Sequence, residues 1–349
     1  LVSVFGNKVG IYHSKFSDSE RVEVYNNIIG SDKEQTYDIV LGVRSSLFLP
    51  FSNLGLIIVD EEHENTYKQY DPAPRYNARD SSAVLAQLHH AKVLLGTATP
   101  SIESYFNAKA GKYGFVQLNT RYQDIKLPEI ELVDTLRAKK RKEMLSHFSP
   151  ALIDSMKESL NLGEQIILFQ NRRGFAPYLE CDMCGWIPYC TNCDVSLTYH
   201  RHQNELVCHY CGHSVRTPKT CKACGSAAIQ TRGFGTEKIE DEIKIFFPEA
   251  KIARMDLDST RSKNAYHQII SKFESGEIDI LIGTQMVSKG LDFDNVSLVG
   301  IVNADNMLNF PDFRAFERSF QLMAQVSGRA GRKNKQGKVI IQTQNPAHP

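Results

Sequence analysis

Short apolar runs alternate with longer stretches of mixed polarity along most of the chain. Runs such as YDIVLGV at 37–43 and LGLIIVD at 54–60 are rich in Val, Ile and Leu, and their length is typical of buried strands. Further strands are predicted at residues 91–97, 164–170, 251–257, 279–284, 297–304 and 338–344. Because the intervening stretches read as helices, the pattern predicts an α/β fold in which helices cover parallel sheets.

The predicted strands fall into two sets, which indicates two α/β lobes. Between them lies a stretch with few strand signals that carries five basic residues at 137–142. It is a solvated linker or, alternatively, a segment that contacts nucleic acid phosphates. The expected domains are a first lobe at 1–135, an interlobe linker at 136–149, a second lobe at 150–178 and 227–349, and an inserted module at 179–226.

Composition and charge narrow the class of protein. With 349 residues, of which 42% are hydrophobic, the chain has enough apolar material for two cores. A formal net charge of +1 excludes a chain that coats nucleic acid through bulk charge alone. No apolar run approaches the roughly 20 residues of a membrane span, and no signal peptide is recognisable, so we expect a cytoplasmic protein without a membrane partner. Because position 1 is Leu, we also expect a fragment of a longer chain.

All eight cysteines lie in one stretch of the chain and form four Cys-x-x-Cys pairs. Glycine directly follows three of the pairs, which suits a tight turn that points both thiolates at one metal ion. Two such pairs supply the tetrahedral sulfur shell of Zn²⁺, so eight thiolates predict two zinc ions. A site of four cysteines leaves no open coordination position, so both ions are predicted to be structural. The pairs are Cys181/Cys184, Cys190/Cys193, Cys208/Cys211 and Cys221/Cys224.

The spacing also predicts which pairs share an ion. Between Cys193 and Cys208 the sequence reads as two short strands around a polar RHQN turn, so a β-hairpin brings the second and third pairs together. These two pairs are predicted to bind one ion and the outer two pairs the other, in a nested arrangement, with sequential pairing as the alternative. Nearby histidines are possible ligands, but the cysteines already complete two sites, so we expect the histidines at the surface. They are His200, His202, His209 and His213.

The run LIIVDEEH places three acids and His63 directly after a predicted strand. Parallel sheets bind ligands at the carboxyl ends of their strands. There Asp60 can hold Mg²⁺ through its water shell, and Glu61 can orient or deprotonate a water that attacks a nucleoside triphosphate. A solvated acidic loop is the alternative interpretation of these residues.

Three later segments favour a site that handles phosphate. The run GTATPS follows the next predicted strand and offers hydroxyl groups for a loop between phosphate and nucleic acid. The run QVSGRAGR sets Arg329 and Arg332 three residues apart, on one face of a predicted helix, where two guanidinium groups can neutralise a γ-phosphate. The run GTQMVSKGLDF adds further hydroxyls, Gly290 and Asp292.

In this order, DEEH, GTATPS, FQNRRG, GTQMVSKGLDF and QVSGRAGR resemble motifs II to VI of superfamily 2 helicases. With its inserted eight-cysteine module, nearly the whole chain resembles one bacterial family in that group, the replication-restart helicases known as primosomal protein N′. The resemblance implies two RecA-like lobes, with ATP and Mg²⁺ as cofactors. The catalytic residues that it implies are Asp60, Glu61, Arg329 and Arg332, and the nucleotide-site residues are Asp60, Glu61, His63, Gly290, Asp292, Gln325, Arg329 and Arg332.

The same resemblance implies an ATP-dependent 3′-to-5′ DNA helicase that recognises and remodels stalled replication forks and initiates primosome assembly. The expected partners are single-stranded and forked DNA, primosome proteins and single-strand-binding protein, and the expected state is a monomer. The stretch ENTYKQYDPAPRYNARD resembles the aromatic-rich loop that couples single-strand binding to ATP turnover. Its tyrosines can stack on bases while its arginines contact phosphates, or the side chains pack the loop onto its own lobe. The residues are Tyr67, Tyr70, Arg75, Tyr76 and Arg79.

The chain departs from the family in one motif and in its outer domains. Neither GxxxxGKS nor GxxxxGKT occurs, so the loop that cradles the β- and γ-phosphates is missing. We expect the N-terminal fork-binding region, the winged-helix region and the C-terminal domain of the family to lie outside this sequence. We therefore expect a truncated core that binds zinc but hydrolyses ATP poorly on its own. The alternative from another class is a zinc-dependent scaffold that docks replication proteins, with a non-catalytic helicase-like body.

Overall fold

The structure is a computed structural model with two compact units, Leu1–Phe115 and Val116–Pro349. Each unit contains parallel strands and helices, which confirms the predicted α/β class. The residues that the structure describes are 1–13, 16–30, 37–120, 126–171, 178–193, 195–200, 204–208, 210–232, 236–256, 259–260, 263–288, 293–331 and 336–348.

The first unit holds two pairs of parallel strands. Strand β1 (Val9–Tyr12) pairs with β2 (Ile39–Gly42), and β3 (Leu56–Asp60) pairs with β4 (Lys92–Gly96). Parallel pairs need a crossover connection, and a helix lies in the connection of each pair. The helices of this unit are α1 (Val2–Phe5), α2 (Asp18–Ile29), α3 (Ala78–Leu88) and α4 (Ile102–Lys109), and 3₁₀ turns cover Gly6–Lys8, Arg44–Phe48 and Asn65–Tyr67.

The second unit is built on a six-stranded parallel sheet and carries two small antiparallel sheets. Its strands are β5 (Glu129–Asp134), β6 (Gln165–Phe169), β7 (Tyr178–Cys181), β8 (Thr198–His200), β9 (Glu205–Val207), β10 (Ser214–Arg216), β11 (Ile229–Arg232), β12 (Ile252–Met255), β13 (Ile280–Gly283), β14 (Val296–Ile301) and β15 (Lys338–Thr343). Its helices are α5 (Thr135–Lys140), α6 (Pro150–Asn161), α7 (Thr236–Phe246), α8 (Lys263–Glu274), α9 (Asp305–Leu308) and α10 (Ala315–Ser327), with a 3₁₀ turn at Gln285–Ser288. The order in the large sheet is β12-β13-β6-β14-β15-β5.

Helices cover both faces of the large sheet, so its central strands are apolar at consecutive positions. In β6, Ile167 and Phe169 lie in one core cluster with Phe273 of α8. Their neighbours Ile166 and Leu168 lie in a second cluster with residues of α6 and α7. Side chains alternate between the two faces of a strand, so a strand buried on both faces reads as one continuous apolar run. All eight predicted strands are present, each within three residues of its predicted ends.

The boundary between the lobes differs from the prediction. Strand β5 pairs in parallel with β15, from Glu129 opposite Lys338 to Asp134 opposite Thr343, so residues 129–134 belong to the second unit. The units divide after Phe115, and not after residue 135. Part of the predicted linker at 136–149 is helical, because Asp134 at the end of β5 caps α5 by accepting a hydrogen bond from the backbone of Arg137 at 2.8 Å.

Within the described ranges, no helix has both the length and the apolar character needed to cross a bilayer.

One buried amide ties the end of β15 to its neighbours. The side chain of Gln342 is 1% exposed, and its Oε1 accepts a hydrogen bond from the Ser149 backbone at 2.6 Å. Its Nε2 donates to the carbonyls of His147 at 2.9 Å and Val302 at 2.8 Å. Ser149 is the N-cap of α6, so this single side chain fixes where the helix starts beside the sheet.

We expect Gln342→Leu to lower the free energy of unfolding of the second unit by about 3 kcal/mol, because each buried polar group left without a partner costs about 1–3 kcal/mol. Chemical denaturation followed by circular dichroism measures the change. Gln117→Leu, at an exposed position of the same unit, is the matched control and should leave stability unchanged. Equal stability of the two variants would show that Gln342 does not hold the sheet and helix together.

Candidate functional site

The carboxyl ends of β3 and β4 bring two predicted motifs side by side. The strands are in parallel register with Asp60 opposite Gly96, so the acids that follow β3 lie beside the GTATPS segment that follows β4. Asp60 is exposed, and its Oδ1 accepts a hydrogen bond from the Glu61 backbone at 3.0 Å. Glu61 has a backbone φ of 48°, an angle that few residues other than glycine adopt. The chain therefore turns sharply at the end of the strand, as at many ligand sites.

His63 connects the acids to the GTATPS segment. Its Nδ1 is hydrogen bonded to Thr97 Oγ1 at 2.7 Å, and its Nε2 lies 3.4 Å from Thr99 Oγ1. Glu61 Oε2 lies 3.6 Å from the same Nδ1. The structure thus brings Asp60, Glu61 and His63 together at one edge of the first unit, within reach of two hydroxyl groups.

Glu62 has a partner set that sequence reasoning missed. Its side chain is 1% exposed and accepts hydrogen bonds from the backbone of Ser101 at 2.7 Å and from Ser101 Oγ at 2.9 Å. Ser104 Oγ donates to it at 2.7 Å, and an Arg79 nitrogen donates at 3.2 Å. The sequence shows three acids in a row, and nothing in that pattern distinguishes the buried acid from the two beside it.

The predicted DNA-binding residues fall into two groups in the structure. Tyr67 donates its hydroxyl to the Asp60 carbonyl at 2.6 Å, and burial followed by the charges of Asp60, Glu64 and Glu61 raises its pKa. Tyr76 packs edge-on against Phe48, with ring centroids 4.8 Å apart.

Arg79 is turned inward, and the remaining two residues face solvent. The Arg79 guanidinium is held by Glu62, Ser101 and Asp80. Tyr70 is 62% exposed, and Arg75 is exposed. Of the five predicted DNA-binding residues, only Tyr70 and Arg75 are exposed.

The predicted nucleotide-site residues of the second unit are described only in part. Gln325 lies in α10, which ends at Ser327. Arg329 follows in a turn after Gly328, with its backbone donating to the Val326 carbonyl at 3.0 Å, so it does not continue the helical face that the sequence predicted. Glycine at the helix end favours this turn because it weakens helix propagation. Gly290, Asp292 and Arg332 lie outside the described residues.

The eight cysteines form two clusters of four sulfur atoms, and within each cluster all Sγ atoms lie within 4.8 Å of one another. The Sγ atoms of Cys181 and Cys224, and those of Cys190 and Cys211, are 3.6 Å apart. Four sulfurs at about 2.3 Å from a central zinc are about 3.8 Å apart in tetrahedral geometry, so the clusters fit this ion. The members are Cys181, Cys184, Cys221 and Cys224 in the outer cluster and Cys190, Cys193, Cys208 and Cys211 in the inner one. This confirms the nested pairing.

The backbone conformation beside the cysteine pairs directs their thiols toward the centre of each cluster. Gly185, Gly212 and Gly225 have φ of 74°, 73° and 75°, the left-handed region that the predicted turns required. The backbone of Asn192 donates to Cys190 Sγ at 3.4 Å, and a hydrogen bond from the backbone of His213 lowers the pKa of the Cys211 thiol to about 7. The thiolate is the form that binds a metal, so these two backbone contacts favour the ligand state, whereas a hydrogen bond with Cys211 raises the pKa of the Cys193 thiol to about 12.

Antiparallel strands close the inner cluster, as the hairpin prediction required. Strand β8 pairs with β9, and β9 with β10. His200 and His213 are half-buried and belong to neither cluster. His202 and His209 lie outside the described residues.

The cysteine module, residues 178–232, rests on the segment that leads from β14 to α10. Tyr178 donates its hydroxyl to Asn306 Oδ1 at 3.0 Å, and Tyr189 donates to Asn309 Oδ1 at 2.8 Å. The Tyr210 ring meets Phe313 edge-on, with centroids 6.3 Å apart. The module is thus held against α9 and the residues that follow it by side chains that the cysteine spacing did not reveal.

Two protein-family models match the second unit. The PriA DNA helicase Cys-rich region domain matches residues 190–216, which hold the inner cysteine cluster. The Helicase conserved C-terminal domain matches residues 229–334, from β11 to just beyond α10. A solved structure described as RecG bound to a three-way DNA junction aligns with a TM-score of 0.48 at 15% identity, covering 98% of this chain and 33% of that chain.

Curated relatives match the chain from end to end. The replication restart protein PriA of Bacillus subtilis is 45% identical over 344 residues, which cover 99% of this chain and 42% of the relative. The PriA protein of Haemophilus influenzae is 44% identical over 345 residues, which cover 99% of this chain and 46% of the relative. The chain therefore spans less than half of each relative's length. With this identity along nearly all of its residues and the PriA cysteine-rich region in place, the chain belongs to the family of the replication restart protein PriA.

Proposed function

We propose that this chain is the core of an ATP-dependent 3′-to-5′ DNA helicase, which recognises and remodels stalled replication forks and initiates primosome assembly. The observation that carries the proposal is the joining of the acids after β3 to the GTATPS segment after β4 through His63 and Thr97, in a chain 45% identical to a replication restart protein. The partners in this account are single-stranded and forked DNA, primosome proteins and single-strand-binding protein, and the protein acts as a monomer in the cytoplasm.

In the proposed nucleotide site, acidic residues would serve the metal ion and the attacking water, and arginines would serve the γ-phosphate. Bound ATP and Mg²⁺ supply the phosphoanhydride that is cleaved and the cation that offsets its charge. Asp60, which is exposed, would hold the ion's water shell. The Glu61 side chain is 47% exposed, so its carboxylate would be accessible to an attacking water that it could orient or deprotonate.

Family membership suggests that Arg329 and Arg332 would bind the γ-phosphate, because guanidinium forks match phosphate oxygens. His63, Gly290, Asp292 and Gln325 complete the nucleotide-site set that family membership suggests. The chain carries no GxxxxGKS or GxxxxGKT segment for the β- and γ-phosphates, so we expect the isolated chain to hydrolyse ATP poorly.

The two clusters of four cysteines would each hold one structural Zn²⁺. A tetrahedral shell of four thiolates leaves no position for a substrate or water, so the ions stabilise the fold and do not take part in hydrolysis. The ion in the outer cluster would fix the ends of the cysteine module to each other, because this cluster joins residues on β7 and near β11.

Replacing Glu61 with Gln in a full-length protein that contains this chain tests the catalytic assignment. The amide cannot take a proton from water, so fork unwinding and ATP hydrolysis should fall by at least about 100-fold, the usual range for a lost general base. Glu23→Gln, at an exposed position of α2, is the matched control and should retain both activities. If the Glu61 variant still unwinds forks, the catalytic assignment fails and a zinc-dependent scaffold that docks replication proteins is favoured.

Metal analysis tests the two centres. The wild-type chain should contain two zinc ions, and Cys190→Ser should contain one, because the substitution removes a ligand from the inner cluster only. Cys221→Ser should likewise lose only the outer ion. A wild-type content of one zinc or none would contradict the nested sites.

Binding of fluorescent oligothymidylate tests the aromatic-rich loop. Tyr70→Ala should weaken binding by about 1–3 kcal/mol, the usual value of one base stacked on one aromatic ring. Arg75→Ala should reduce the slope of log affinity against log salt by about 0.7, as expected for one lost phosphate contact with a single strand. Tyr113→Ala, which removes a tyrosine that is 40% exposed outside the loop, is the control. Equal affinities for all three variants would place the DNA site elsewhere.

A further inference from the structure

Glu62 is the buried member of the acidic run, and its four hydrogen bonds reach two helices. Ser101, which donates two of them, is the N-cap of α4 and the last residue of GTATPS. Ser104 lies in the first turn of the same helix. Arg79 is the second residue of α3. One carboxylate therefore joins the end of β3 to the beginnings of two helices.

The loop that ends at α3 is closed at its base. Lys68 and Asn77 form an antiparallel bridge, and the Gln69 backbone donates to the Tyr76 carbonyl at 2.9 Å. Asn77 is the N-cap of α3 and accepts a hydrogen bond from the Arg79 backbone at 3.1 Å. The base of the loop is therefore tied together two residues before Arg79, directly beside the start of α3.

Ser101 makes the link between the two helices direct. Its Oγ accepts a hydrogen bond from an Arg79 nitrogen at 2.7 Å while it donates to Glu62 at 2.9 Å. Arg79 is 12% exposed at its side chain, so it has little water to replace a lost partner. A movement of Arg79 therefore has to move Glu62 and Ser101 or break contacts with both.

The GTATPS segment ends at Ser101 and begins next to the catalytic acids. Thr97, four residues before Ser101, is the hydrogen-bond partner of His63, which lies 3.6 Å from Glu61 Oε2. The connected groups run from the aromatic-rich loop through Arg79, Glu62 and Ser101 to Thr97 and His63. All of them lie within the first unit.

We infer that Glu62 is a positioning residue that transmits binding of single-stranded nucleic acid at residues 64–77 to residues 97–104 and so to the placement of His63 and Glu61. The inference rests on the proposed function, because it assumes that the loop binds a single strand. Glu62 itself touches neither nucleotide nor nucleic acid in this account. The negative charge of Glu62 is needed for the ion pair with Arg79. The shape of its side chain is needed to accept hydrogen bonds from both the backbone and the Oγ of Ser101.

Amide hydrogen exchange of this chain, with and without oligothymidylate, tests the inference. In the wild-type protein, oligothymidylate should change the exchange rates of residues 64–77 and of residues 97–104. In Glu62→Gln, which keeps the shape but removes the charge, the change at 64–77 should remain and the change at 97–104 should be lost. Glu23→Gln on α2 should behave like the wild type.

A purely structural role gives a different result. Replacing Glu62 would then lower the melting temperature of the protein, but oligothymidylate would still change the exchange rates of residues 97–104. That result would overturn the inference. If Glu62→Gln does not fold, Ser104→Ala removes one donor while keeping the Arg79 pair, and the change at 97–104 should be reduced. A wild-type chain that binds oligothymidylate without any change at 97–104 also refutes the coupling. Failure to bind at all instead contradicts the proposed DNA site, and the coupling falls with it.

Discussion

A carboxylate removed from water is stable only where donors surround it, and Glu62 meets this condition with one arginine and two serines. The arrangement of the first unit follows from that requirement. The chain has to turn at Glu61 so that Glu62 can face inward, which leaves Asp60 exposed at the end of β3. It also places Ser101 at the start of α4, so that two segments distant in sequence meet beside one strand pair. The catalytic assignment of Asp60 and Glu61 therefore depends on a neighbour that has no catalytic role of its own.

The second unit depends on a different constraint, the convergence of thiols that are far apart in sequence. The outer cluster brings Cys181 next to Cys224, and the strands β7 and β11 pair antiparallel beside it. The inner cluster closes on a small apolar core that includes Leu197 and Leu206. Such a core is too small to hold a module of this size by burial alone, so metal binding and folding are expected to be linked there. The contacts with Asn306 and Asn309 then fix the module beside the large sheet.

The sequence predicted the features that depend on local pattern and missed those that depend on distant contacts. Buried strands were found because helices on both faces make them continuously apolar, and the cysteine pairing followed from the hairpin between the inner pairs. Strand β5 was missed because Glu129 and Glu131 interrupt its apolar positions. An edge strand tolerates such charged residues, and β5 is an edge strand whose single neighbour is β15. The inward contacts of Tyr67, Tyr76 and Arg79 could not be predicted, since each depends on a partner in another segment. The same is true of Glu62.

The most direct test of the account is the rate of ATP hydrolysis by a full-length protein that contains this chain, measured without DNA, with linear single-stranded DNA and with branched DNA. If the edge of β3 hydrolyses nucleotide in response to nucleic acid at the neighbouring loop, DNA should raise the rate several-fold or more, and branched DNA should raise it further than linear DNA. A rate that is the same in all three conditions, in a preparation with both zinc sites filled, would contradict a DNA-driven motor.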